Sequence, residues 1–172
     1  MNLFLVSGNI VRNKLLGTIP SWGPFFRINC EIYLNSLGSA AESESVLAFR
    51  GNNATSNVGK YGDRVPIIQL YNGKLYFFSA LTPPDPERDH VSIGVQYGKW
   101  YKIIIEQINK RSYILNKWVT TPYFSVSMDG KEIFKSINYK AQAFENVKVF
   151  AGDNFLSSAN GAYRNLFWEN LE

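Results

Sequence analysis

The 172-residue chain has little of the chemistry on which metal centres and hydrolases depend. It contains one cysteine, Cys30, and one histidine, His90. A single cysteine excludes an internal disulfide and a cysteine-based zinc cage. A Ser-His-Asp arrangement would need its histidine beside an activated serine, and no Gly-x-Ser-x-Gly elbow indicates one. We therefore expect Cys30 to be a small core residue and His90 an exposed loop residue.

Further function classes are disfavoured by features that the sequence lacks. The formal net charge is +4, but the basic residues are scattered and Lys110-Arg111 is the only adjacent pair. Nucleic-acid binding needs grouped cations, so we expect no nucleic-acid partner. There is no Gly-rich phosphate loop, and no apolar stretch approaches the length of a membrane span.

Length and the N-terminal segment limit the organisation of the protein. A chain of this size fits one domain, which we place at residues 1–172, and buries a core without disulfides. The opening "MNLFLVSGNIVRN" lacks a charged leader and an Ala-x-Ala-like cleavage site, so it does not resemble a signal peptide. The protein is then either cytosolic or has lost a leader, and we favour an extracellular, secreted protein.

Alternation and turn residues predict β-structure throughout. In "FFRINCEIYLN" (residues 25–35) apolar and polar positions alternate, which is typical of a half-buried strand. Asn72-Gly73 and Asp129-Gly130 each join two β-rich runs, and both dipeptides favour two-residue hairpin turns. About a dozen short strands and no convincing helical period predict an all-β fold, a two-sheet antiparallel jelly-roll sandwich.

The sequence shows no pair of carboxylates on one strand of the kind that a glycoside hydrolase would use. Glycoside hydrolysis needs two of them about 5 to 10 Å apart, but Glu31, Glu106 and Glu132 occur singly on predicted strands. A cross-strand pair of Glu31 and Glu106 remains an alternative. We expect a protein that is not an enzyme.

Several longer motifs resemble one family. These are Trp-Gly-Pro (residues 22–24), Tyr-Gly-Asp-Arg-Val-Pro (61–66) and Asn-Val-Lys-Val-Phe-Ala-Gly-Asp (146–153). Together with "GKWYKIIIEQ" and "YFSVSMDGKEIF", they are similar to the concanavalin A-like, laminin-G-like lectin sandwiches, and particularly to the invertebrate, sea-anemone type of galactose-binding lectin. The resemblance spans nearly the whole chain.

The resemblance implies a non-catalytic sandwich that binds terminal sugars, with galactose favoured. It also implies calcium as a candidate cofactor and a homodimer as the candidate assembly. In such a fold, residues 157–168 form a loop and a closing strand that pairs near the N-terminal strand. The same family includes laminin-G-like protein-interaction domains, so a structural or protein-binding role without sugar activity is the alternative function.

Candidate ligands come mainly from the polar segment "RGNNATSNVGKYGDR" (residues 50–64). Sugars need directional polar partners and an aromatic face, whereas calcium needs six to eight oxygens. The predicted sugar-binding residues are Asn52, Asn57, Tyr61, Asp63, Arg64 and, as a rim residue, Trp22. The predicted metal ligands are Asn57, Asp63, Asp153 and Asn154.

Each candidate has a simpler structural interpretation. The 50–64 segment can be a flexible polar loop, and Asn53-Ala54-Thr55 is a glycosylation sequon that would place a glycan on it. Asp153 and Asn154 can form a turn, because both side chains readily bond their own backbone. Two further candidates are the acidic turn with Asp85, Glu87 and Asp89, and a sheet groove lined by Arg27, Asn29, Glu31 and Tyr33 with Gln69 and Tyr71.

Overall fold

The computed structural model describes residues 7–51, 64–79, 90–139 and 141–171. Within these ranges the regular structure is entirely β, and no helix occurs that is long and apolar enough to cross a membrane. The strands are β1 Gly8–Asn9, β2 Leu15–Trp22, β3 Phe26–Leu34, β4 Glu44–Arg50, β5 Ile67–Tyr71, β6 Lys74–Phe78, β7 His90–Gly94, β8 Trp100–Ile114, β9 Lys117–Met128, β10 Lys131–Ile137, β11 Phe144–Phe150, β12 Ser157–Ser158 and β13 Gly161–Asn170.

The strands form two sheets. Sheet A has the order β1-β13-β3-β8-β9-β10, and sheet B has the order β2-β11-β4-β5-β6-β7. All pairings are antiparallel except that of the two-residue β12, which pairs with β4 in parallel. The closing strand β13 pairs with β1 next to the N-terminus, as expected.

The alternation predicted for residues 25–35 is confirmed in β3. Phe26, Ile28, Cys30, Ile32 and Leu34 are buried, while the intervening side chains are only partly covered on the outer face of sheet A. Burial of Cys30 raises the pKa of its thiol to about 12, and the neighbouring Glu31 charge adds to the effect. Cys30 therefore behaves as a small apolar core residue.

Both predicted hairpin turns are confirmed. Asn72 and Gly73 have φ values of 45° and 70° between β5 and β6, and Asp129 and Gly130 have 51° and 81° between β9 and β10. A third tight hairpin joins β8 to β9 through Leu115 and Asn116, with φ values of 48° and 61°. Its turn lacks glycine, so the sequence pattern did not predict it.

The core lies between the sheets and joins them through aromatic rings. Trp22 of sheet B stacks on Trp168 of sheet A, with ring centroids 5.3 Å apart and planes at 21°. Phe26 and Phe49 contact the same Trp22 ring. The prediction that Trp22 is a sugar-binding rim residue is therefore wrong, because its side chain is 0% exposed and its ring already packs against three others.

Candidate functional site

An open groove lies at the end of the sandwich where β4 begins. It is lined by residues of three connections: Arg12 between β1 and β2, Glu42 and Ser43 before β4, and residues 155–157 after β11. Its volume is about 550 Å³, which is in the usual range for a small-molecule site.

Asp153 fixes the loop that forms one wall of this groove. Its Oδ1 accepts hydrogen bonds from the backbone N–H groups of Phe155 at 3.0 Å and Leu156 at 3.2 Å. Its own N–H donates to Ser45 Oγ at 3.0 Å. The turn interpretation of Asp153 is thereby confirmed, and three hydrogen bonds tie the wall to Asp153 and to Ser45.

Asp153 forms a buried ion pair with Arg50. Arg50 donates to Asp153 Oδ2 through Nε at 3.2 Å and also through Nη2. The side chains are 3% and 1% exposed. The Arg50 guanidinium also lies 4.4 Å from the centroid of the Phe155 ring. The pair therefore supports the backbone of the wall and the aromatic side chain at its surface.

The groove offers the kinds of group that bind hydroxyl-rich ligands. Arg12 supplies donors, Glu42 supplies acceptors, and the hydroxyls of Ser43 and Ser157 can do either. Phe155 is half-buried and adds an aromatic surface. Among the described residues that line the groove, Glu42 is the one carboxylate.

The structure corrects the predicted metal role of Asp153. Both carboxylate oxygens already accept hydrogen bonds, one from the loop backbone and one from Arg50. Asn154 next to it is exposed. Within the part of the chain that the structure describes, no group of three or more histidine, cysteine, aspartate or glutamate side chains could hold a metal ion. The donors that remain for the predicted calcium site are Asn57 and Asp63, which lie outside the described residues, and Asn154.

Most of the predicted sugar ligands cannot be placed. Asn52, Asn57, Tyr61 and Asp63 lie outside the described residues, as do Asp85, Glu87 and Asp89 of the acidic turn. For them the sequence-based prediction stays a prediction.

Arg64 lines a second, smaller cleft near the opposite end of the sandwich. The cleft also includes Gln107, Asn138 and Phe144. The Arg64 guanidinium lies 4.7 Å from the centroid of the Phe78 ring, and Asn138 donates to Gln107 Oε1 at 2.9 Å. The enclosed space is about 20 Å³, which suits one water molecule better than a sugar ring.

The alternative carboxylates, Glu31 and Glu106, are well separated along one face of sheet A. In the β3–β8 register Glu31 lies opposite Lys102, and Glu106 lies opposite Arg27. The Cα atoms of the two acids are therefore four positions apart along one face, about 13 Å at the usual rise per residue, and each carboxylate is paired with a different arginine.

Each of these acids also has a cationic partner. Glu31 Oε2 accepts from Arg164 Nε at 2.8 Å, and its Oε1 accepts from Asn165 at 2.7 Å. The hydrogen bond from Asn165, followed by that from Arg164, lowers the pKa of Glu31. Glu106 accepts from Arg27 Nε at 2.6 Å. The lowered pKa of Glu31 favours the charged carboxylate over a general acid.

The predicted groove on the polar face of β3 is not formed as expected. Arg27, Asn29, Glu31 and Tyr33 share the outer face of sheet A, but Gln69 and Tyr71 belong to β5 in sheet B. Alternation within each strand was predicted correctly. The assignment of strands to sheets depends on long-range pairing, which alternation does not encode.

Known proteins share the fold of this chain but little of its sequence. No protein-family model matches the chain, and no curated protein matches it. Among solved structures it is similar to a botulinum neurotoxin type G receptor binding domain, with a TM-score of 0.51 and 11% identity over 94% of this chain and 39% of that chain. It is also similar to a sialidase, with a TM-score of 0.52 and 12% identity over 90% of this chain and 14% of the other.

The fold is a two-sheet jelly-roll sandwich. The predicted fold class, all-β with two antiparallel sheets, is thereby confirmed. The chain spans well under two thirds of either similar structure, 39% and 14% of their lengths. At these identities the likeness extends to the fold, and any function must be argued from the site.

Sequence analysis missed the residues that line the groove, Arg12, Glu42, Ser43, Phe155, Leu156 and Ser157. They come from three connections that are far apart along the chain, and only the pairing of β1, β4 and β12 with their neighbours brings them together. The one local signal was Asp153 followed by an aromatic residue and two serines.

Proposed function

We propose that this protein is a non-catalytic carbohydrate-binding module and that the groove at Arg12, Glu42 and residues 155–157 binds a terminal sugar. The observation that carries the proposal is the Asp153 anchor. The hydrogen bonds from Phe155 and Leu156 to Asp153 position the Phe155 ring and the backbone of this wall in a groove of about 550 Å³. A rigid site costs less ordering entropy when a flexible, strongly hydrated ligand binds.

Galactose is the sugar that we propose, in line with the lectin resemblance of the sequence. A galactose ring has an apolar face that can rest on an aromatic side chain such as Phe155, while its vicinal hydroxyls need paired donors and acceptors. Arg12 and Glu42 supply one of each. Calcium remains part of the proposal only through the predicted ligands Asn57, Asp63 and Asn154.

The proposal includes a secreted homodimer. A single shallow sugar site gives about −4 to −6 kcal/mol, which is millimolar to tens of micromolar affinity. Two linked sites raise the avidity without new contacts. Light scattering after size-exclusion chromatography tests this part, and a strict monomer at high concentration would contradict it.

A glycan array screened with millimolar calcium and again with a chelator tests the sugar-binding role. We expect binding of terminal galactosides that Arg12→Ala, Glu42→Gln and Phe155→Ala each weaken at least tenfold. Glu145→Gln, at an exposed position on β11, is the matched control for Glu42→Gln and should bind normally.

The outcomes of the array separate the alternatives. Loss of binding with chelator supports the calcium-bridged form, and binding unchanged by chelator keeps the lectin without the metal. A blank array in both conditions would overturn the proposal and favour the laminin-G-like protein-interaction role. Release of reducing ends from polysaccharides would contradict the non-catalytic assignment.

A further inference from the structure

A two-stranded arm extends from sheet A. The pairing of β3 with β8 ends at Phe26 and Gln107, and the pairing of β10 with β9 ends at Ile137 and Tyr123. Residues 108–122, which we call the arm, pair across the β8–β9 hairpin, and within the described residues no third strand joins them. At the usual rise per residue the arm is about 20 Å long.

The tip of the arm is apolar and exposed. Leu115 is 92% exposed, Trp118 60%, Tyr113 59% and Ile114 53%. Tyr113 and Trp118 are paired across the arm, with ring centroids 5.1 Å apart. Scattered single apolar residues are normal on a surface, but four together at the end of a projecting hairpin indicate an interaction site.

Leu115 occupies a backbone conformation that leucine rarely adopts. Its φ is 48° and that of Asn116 is 61°. Two-residue hairpin turns of this kind favour Asn-Gly or Gly-Gly, because a Cβ crowds the backbone in the left-handed region. A large apolar side chain is therefore held at the most exposed point of the hairpin despite the preference of the turn for glycine.

The charge of the arm is of one sign. Lys110, Arg111 and Lys117 lie on it, and the sequence from Gln107 to Met128 contains no aspartate or glutamate. The Arg111 guanidinium lies 4.5 Å from the centroid of the Trp118 ring. A cation is thus placed directly beside the apolar tip. Two copies of the arm would bring like charges together, which argues against self-association through this surface.

We propose that the arm docks on the surface of an anionic lipid bilayer. Leu115 and Ile114 would enter the outer part of the acyl region, and Trp118 and Tyr113 would lie at the interface where amphipathic rings concentrate. Lys110, Arg111 and Lys117 would meet the lipid phosphates and carboxylates. A protein surface of matching chemistry would need an acidic rim around an apolar pocket, whereas an anionic bilayer offers this combination everywhere.

Vesicle flotation with the full chain tests the proposal. Vesicles of phosphatidylcholine with 30% phosphatidylserine are expected to carry the protein, and pure phosphatidylcholine vesicles are expected to carry little. The difference in affinity should match the contribution of three cations, about fivefold for each. Binding should weaken as salt rises from about 0.1 to 0.5 M, because screening shortens the range of the attraction. The emission of Trp118 should shift to the blue on binding, and Trp118→Phe should remove most of that shift.

Variants separate docking from folding. Leu115→Gly suits the turn, so the fold should persist while binding falls at least tenfold. The triple variant Lys110→Gln, Arg111→Gln, Lys117→Gln should bind on the order of a hundredfold more weakly, about fivefold for each charge. Tyr139→Ser, at an exposed tyrosine outside the arm, is the matched control and should bind like the unmodified chain.

The remaining outcomes overturn the proposal. Equal binding to neutral and anionic vesicles would contradict the attraction between the arm's cations and anionic lipid. Binding unaffected by Leu115→Gly would contradict docking through the arm. No binding to either vesicle, or dimerisation that Leu115→Gly abolishes, would assign the arm to a protein partner instead. None of these results depends on whether the groove binds sugar.

Discussion

At the scale of single residues, Asp153 links the core of the sandwich to its candidate site. Arg50 holds one of its oxygens inside the protein, and the other oxygen accepts two backbone hydrogen bonds from the groove wall. Removing one partner of a buried ion pair is strongly destabilising, because the remaining charge loses a close counter-ion in surroundings that solvate it poorly.

Asp153→Asn should therefore lower the free energy of unfolding by about 3 to 5 kcal/mol. Urea titration measures this. Glu132→Gln, which removes an exposed partner of Lys135, should change it by less than about 1 kcal/mol. Arg50→Gln combined with Asp153→Asn should cost less than the sum of the two single variants. Additive effects would mean that the two side chains do not act as a pair.

Glu31 should make part of the stability depend on pH. Its pKa in the folded protein is lowered by Asn165 and Arg164, so the fold binds its proton less readily than the unfolded chain does. The contribution is present above the unfolded glutamate pKa of about 4.3 and is lost as pH falls through the lower folded value. Urea midpoints between pH 6 and 3 should fall less steeply in Glu31→Gln than in the unmodified protein. Equal slopes would contradict the assignment.

At the scale of elements, the sequence predicted strands well where one face is buried and the turn has the usual residues. Strand β3 and the turns at Asn72-Gly73 and Asp129-Gly130 fall in this class. The β8–β9 arm does not, because both of its faces are exposed and its turn is Leu115-Asn116. Apolar and polar residues alternate in a strand because one of its faces is buried. A strand pair outside the core therefore shows only a weak alternation in the sequence.

The arm also gives a stability prediction. Leu115→Gly should raise the free energy of unfolding by about 1 kcal/mol, because it relieves the left-handed strain of a side chain that is almost fully exposed. Thermal unfolding measures the change. Asn72→Gly at a similar turn is the control and should gain much less, since asparagine tolerates this conformation. A loss of stability in Leu115→Gly would mean that the leucine packs against the protein.

At the scale of the whole molecule, strand direction places the groove and the arm at opposite ends of the sandwich. The arm leaves sheet A beside Phe26, at the start of β3. The groove lies near the end of β3, where the N–H of Asn35 donates to Asn160 and Gly161 pairs with Leu34. Nine residues of strand separate the two, about 30 Å at the usual rise. A protein docked on a bilayer through the arm would therefore turn its groove away from the lipid.

This arrangement predicts that the two binding activities are independent. Phe155→Ala should abolish capture of a galactoside polymer and leave vesicle flotation unchanged, and Leu115→Gly should do the reverse. Vesicles carrying the unmodified protein should also retain the polymer, because no ligand at one end reaches the other. Competition between polymer and vesicle would place both ligands on one surface, and joint loss of both activities in either variant would indicate damage to the fold. Loss of one activity alone in each variant is the result that the geometry requires.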